Sequence, residues 1–230
     1  MYRFSQIEFK SVFPAPWELI IPVMVLLGFY ISLVSLVSSR LRKNMRFLLG
    51  IYTAVLAILL VYVTAIAHAG LSWEVPLRFM GTASLFLIGP LSYLLSTIVR
   101  YPASMDHHYF YYLPALLAGS VAVIIPGKEM IYHLVGIVFT GCWLGVQLIK
   151  VCSARFRGKA IPAPETTGNH TWNKAFTTLQ IILFGIICIS LSTSHPSIVA
   201  AGCIAFLIMV IWIRLIYSAY LQYTIDRNRS

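Results

Sequence analysis

The chain has 230 residues, 59% of them hydrophobic and only 10% charged, with a formal net charge of +10. A soluble domain carries about a quarter charged residues, so this composition excludes a water-soluble globular protein and points to a single membrane domain. Seven apolar stretches follow one another, each long enough to cross a bilayer core at about 20 residues per span.

Residues 1–16 are mixed polar and aromatic. They lack the apolar core and small-residue cleavage site of a signal peptide and are expected to form an outer N-terminal tail. The first stretch, 17–39, is too long for a signal-peptide core and ends in the basic run 40–46, so it is a retained helix. The second covers 47–70. The third, 77–99, carries Gly89 and Pro90 in mid-span, followed by Tyr93. Pro90 cannot donate to the carbonyl of Phe86 and its ring clashes there, which predicts a kink. Gly89 lets a neighbouring helix come close. The freed carbonyl and the phenol one turn on make Gly89, Pro90 and Tyr93 candidates for a hinge or pocket; the alternative is a packing kink satisfied by neighbours.

The fourth stretch, 109–125, opens on Tyr109, Phe110, Tyr111 and Tyr112, with Pro114 just inside it. These aromatics read as an interfacial belt, or as a ligand-stacking surface. The fifth, 130–152, contains Gly141-Cys-Trp-Leu-Gly145, a small-xxx-small pattern. Gly141 and Gly145 therefore mark close helix contact, within the bundle or across a homodimer seam. The segment 153–174 holds Gly158, Pro162, Pro164 and Gly168 and reads as an extended linker loop. The sixth and seventh stretches are 175–191 and 197–220, leaving 221–230 as a cytoplasmic tail.

Charge sets the orientation. With the N-terminus outside, the outer segments hold only Arg3, Lys10, Arg78 and Lys128, while the other 13 Lys and Arg face inward. The outer face then sums to zero and the inner face to +10, a strong positive-inside bias. The basic excess is a topology signal and an attraction to anionic lipid heads, with no direct nucleic-acid partner. Arg155, Arg157, Lys159 and Arg214 are the candidate lipid or partner contacts on the inner side. The fold class expected is all-α: an integral membrane bundle of seven transmembrane helices over 17–220, N-out and C-in.

Chemistry is sparse. Cys142, Cys152, Cys188 and Cys203 fall inside or at the edge of apolar stretches with no CxxC pair, which argues against disulfides and a zinc site. His68, His133 and His195 gather by topology at the outer side, where imidazoles can bind a metal or sense pH. They share no local motif, so they also read as three unrelated interfacial histidines. Arg214 is the one firm intramembrane charge and sits near the inner end, within snorkelling reach. Pumps and ion-coupled carriers need buried acids or bases. There is no HExxH or GxSxG, and no lysine in the seventh stretch for a Schiff base. These absences point away from an enzyme, an active transporter and a rhodopsin. The residues leave the cofactor unassigned.

The segment GPLSYLLSTIVRYPASMDHHYFYYLPALLAG resembles the N-terminal seven-helix membrane domain of bacterial membrane-bound AraC-type regulators. Gly89, Pro90, Tyr93 and Pro114 carry the motif, and the seven-helix layout with a basic loop after the fifth agrees. Leu95 and Tyr111 depart from it, standing where the family often has an aromatic and a histidine. In that family a helix-turn-helix domain follows the seventh helix. Here Thr224 to Ser230 occupy the place where it would begin. The resemblance implies a non-enzymatic sensory or regulatory module of a bacterial inner membrane, multi-pass and without the DNA-binding domain. It would act through a protein partner in the membrane or cytoplasm. An accessory or assembly subunit of a larger membrane complex is the alternative, and a small facilitator or channel the second.

Overall fold

The computed structural model describes residues 16–38, 43–69, 75–100, 112–125, 128–156, 166–192 and 198–227. The helices in these segments are α1 (Pro16–Val37), α2 (Lys43–Ala69), α3 (Val75–Arg100), α4 (Leu113–Ile124), α5 (Glu129–Phe156), α6 (Thr166–Ser192) and α7 (Ile198–Arg227). An apolar segment in lipid must satisfy its backbone internally, and a helix does so within one segment. Five of them, α1, α2, α3, α5 and α6, are long and apolar enough to cross a membrane. The exposed surface agrees with a membrane setting: α1 alone shows Ile20, Val23, Leu26, Tyr30, Leu33 and Val37, a continuous apolar face that water would not tolerate.

Hydropathy and helix length part company at three places. Helix α4 has 12 residues, about 18 Å at 1.5 Å per residue, well short of a hydrocarbon core of about 30 Å. The linker expected over 153–174 is helical at both ends, because α5 runs on to Phe156 and α6 begins at Thr166. Helix α7 continues to Arg227, through most of the expected tail. Hydropathy marks where a helix can lie in lipid; the helix itself stops only where its backbone bonding stops.

Helices α2 and α3 form the middle of the bundle. About their side-by-side pair, α4, α5, α6, α7 and α1 succeed one another, each packed on the next except that α4 and α1 close against the central pair. Of the apolar span of α3, 78% is buried, against 22% of that of α5. This explains why α3 has buried residues on all sides between Gly81 and Ser96, while α5 buries one stripe, His133, Gly136, Thr140, Leu144 and Gln147. That spacing of three and four is one face of a helix. The main hydrophobic core is built from Leu48, Leu56, Leu60, Leu91, Leu95, Ile208 and Trp212 with their neighbours.

Candidate functional site

The stripe that α5 turns inward is small and polar, and it meets α3 around Pro90. Gly89 is a point of close approach between the two helices: a Cβ there would lie 3.0 Å from Thr140 Cα and 3.0 Å from Trp143 Cβ. The first of these is backbone, which cannot swing aside. Thr140 Oγ1 donates to the carbonyl of Leu85 at 2.5 Å. Two turns further along α5, Gln147 reaches two helices at once. Its Oε1 lies 3.1 Å from Ser92 Oγ on α3, and its Nε2 donates to Thr177 Oγ1 on α6 at 2.9 Å. Ser92 Oγ is also 2.9 Å from the carbonyl of Gly89, so its one hydrogen is shared between two acceptors.

One turn beyond Thr177 on α6, Gln180 donates through Nε2 to the hydroxyl of Tyr52 on α2. Tyr52 is packed against Phe176 with ring centroids 6.1 Å apart. Ser92, Gln147, Thr177, Gln180 and Tyr52 are all at most 1% exposed. Together they make a polar seam, drawn from α3, α5, α6 and α2, through an otherwise apolar core. None of the five is charged. Among the described residues, Gln180 Oε1 and, separately, the indole Nε1 of Trp212 have no hydrogen-bond partner.

A second polar contact lies toward the end where α2 stops and α3 starts. Tyr62 hydroxyl and His133 Nε2 are 2.6 Å apart, with the rings edge to face at 72°. The ring of Tyr62 lies against α3 at Gly81, where a Cβ would run into it. His133 is buried, at 6% exposure.

The expected site residues are placed as follows. Gly89 and Pro90 sit at the α3–α5 contact. Tyr93 joins them from the same helix: its ring packs on Trp143 at 5.1 Å, and its hydroxyl accepts from Lys150 Nζ. Pro114 opens α4 in its first turn, the position where a missing N–H costs nothing, and the amide of Ala115 bonds the carbonyl of Tyr112. A Cβ on Gly141 would lie 3.5 Å from the Phe184 ring, ordinary contact, and a Cβ on Gly145 would meet nothing within 4 Å. Close approach on this pair of helices is therefore made by Gly89, not by the GxxxG pattern of α5. Arg214 is exposed on α7. Arg157, Lys159 and His195 lie outside the described residues, as do the side chains of Arg155 and His68. Among the described residues no group of three or more His, Cys, Asp or Glu is placed to hold a metal. The four cysteines are free thiols, three exposed and Cys188 half-buried.

Tyr52, Tyr62, Ser92, Gln147, Thr177 and Gln180 are not among the sequence candidates, which rest on charge, a proline kink, small-residue packing, metal-ligand chemistry and the family resemblance. A signal existed: Gln147 and Thr140 are seven apart, and Thr177 and Gln180 three apart, spacings that put polar groups on one inward face. Compared with known proteins, the chain matches no family model, no curated protein and no solved structure.

Proposed function

We propose that the chain is a non-enzymatic sensory or regulatory module of a bacterial cytoplasmic membrane, crossing it seven times, with α4 as its shortest span, the N-terminus outside and the C-terminus inside. In this reading a signal displaces α3, and the displacement is passed to the helices bonded to it and on to a protein partner. The observation that carries it is the contact of Gly89 and Ser92 with Thr140 and Gln147. The most buried helix of the bundle carries a proline there. On the next turn its neighbours are held by directional hydrogen bonds instead of interchangeable apolar contacts. A shift of α3 at that level must move α5, and through Thr177 it must move α6. The likeness of Gly89, Pro90, Tyr93 and Pro114 to AraC-type membrane regulators supports the same class of role.

Two experiments test this. Native mass spectrometry of the chain, extracted in mild detergent from its host, should give a monomer or dimer with a bound small molecule or a substoichiometric partner. Stoichiometric recovery with other membrane subunits would replace the sensor with an accessory subunit. Orientation is read separately in a cysteine-free background: Lys128→Cys should react with an impermeant maleimide in intact cells, and Lys174→Cys only after lysis. The reverse pattern would overturn the N-out arrangement.

A further inference from the structure

The pairing of Tyr52 with Gln180 is chemically incomplete. A primary amide offers two N–H donors and one carbonyl acceptor, and a phenol offers one donor and one accepting oxygen. Gln180 Nε2 donates to Tyr52 hydroxyl, which uses the accepting side of the phenol. The phenol's own hydrogen then has no acceptor among the described residues, and Gln180 Oε1 has no donor. Turning the amide over does not help. Tyr52 would then donate to Oε1, and both amide N–H groups would be left over. Gln147 provides the contrast within the same seam: its oxygen and its nitrogen are each engaged, with Ser92 and Thr177.

Tyr52 is fully buried and Gln180 is 1% exposed, so bulk solvent cannot satisfy these atoms, and an interior of low dielectric makes unpaired polar groups costly. The unused donor and the unused acceptor sit on the two partners of a single hydrogen bond, within reach of one small bridging molecule. That molecule must both accept and donate. It must also be neutral, because no seam side chain carries a charge, and a buried ion without a counter-charge is strongly disfavoured. We propose that Tyr52 and Gln180 form a binding site for an internal water molecule, which accepts from the Tyr52 hydroxyl and donates to Gln180 Oε1. Buried waters typically occupy such sites, bonded to two to four polar partners. With the water in place, polar groups run from Tyr52 on α2 to Gln180 and Thr177 on α6, Gln147 on α5 and the Gly89 carbonyl on α3. The site holds whatever the chain's role, and it does not rest on the relay reading above.

Water-edited solid-state NMR tests this on the intact chain in phosphatidylcholine vesicles. The sequence has four glutamines, Gln6, Gln147, Gln180 and Gln222, so labelling glutamine with 15N gives four side-chain amides. Gln147 follows a valine, while Gln180 and Gln222 follow leucines. Carbonyl-13C valine or leucine sorts their backbone amides, and the one side-chain signal lost in each of Gln6→Glu, Gln147→Leu and Gln222→Glu leaves the remaining side-chain amide as that of Gln180. Magnetisation from water should reach the Gln180 amide several-fold faster than the Gln147 amide. Equal, slow transfer to both would mean a dry pair and overturn the site. Equal, fast transfer to both would mean an open aqueous crevice and overturn it as well. Tyr52→Phe removes the donor that holds the water and should slow transfer to Gln180 several-fold; an unchanged rate would overturn Tyr52 as a partner.

Discussion

Helices α1 and α5 are both mostly exposed, with 28% and 22% of their apolar spans buried, yet they are attached to the bundle differently. The stripe of α1 that turns inward is Ile21, Met24, Gly28, Ser32 and Ser35. Among the described residues, the side-chain bond from this stripe to another helix runs from Ser32 Oγ to the carbonyl of Gly50 at 2.8 Å. The inward stripe of α5 bonds α2 through His133, α3 through Thr140 and Gln147, and α6 through Gln147. In lipid there is no hydrophobic force between helices, so association comes from close packing and interhelical hydrogen bonds. Helix α1 therefore relies on shape, and α5 on shape plus direction. A helix held by directional bonds has a defined rotation and depth, which a relay between helices requires.

Substitutions can break or sharpen that contrast. The largest effect is expected at Gly89→Val, because the added carbons meet the backbone of Thr140 and overpacking costs about 1–3 kcal/mol. Gly145→Val carries the same propensity change with open space above it, and reversible unfolding in mixed micelles should show it close to wild type. Equal losses for the two valines would remove the close α3–α5 approach.

Gln147→Leu comes next, with a loss of about 0.6–1.7 kcal/mol, from the average to the largest value for interhelical hydrogen bonds in a membrane protein. A fully stable variant would mean that Ser92 and Thr177 find equivalent partners on their own helices. Tyr62→Phe removes the bond to His133 and should cost about 1 kcal/mol in the same assay. Its shape is kept, so a larger loss would point to a wider network around the imidazole. Ser32→Ala is expected to be smallest, at about 0.5 kcal/mol. A loss at Ser32 as large as that at Gln147 would erase the difference between the two helices.

Much of the fold was legible in advance. Apolar runs placed the bodies of α1, α2, α3 and α5 to within a few residues, because length and hydropathy are set by the same lipid constraint. The ends were less legible. Thr166 to Lys174 continue α6 as a polar helix, and a hydropathy window cannot distinguish polar helix from loop. The candidate site was half legible: Gly89, Pro90 and Tyr93 announce themselves by residue type, whereas Gln147, Gln180 and Tyr52 do not. A lone glutamine in an apolar run looks like an interruption until its partner is known.

The sequence by itself determined that the chain is a membrane-suited helical protein, how long most of its helices are and where its basic residues concentrate, since each of these is a sum over local composition. Only the tertiary structure decided which helix is central and which polar groups meet. Ser92 and Gln147 are 55 residues apart, Gln147 and Thr177 are 30 apart, and Tyr52 and Gln180 are 128 apart. Their meeting depends on the rotation and depth of each helix in the bundle, and hydropathy, averaged around every side of a helix, carries no record of either.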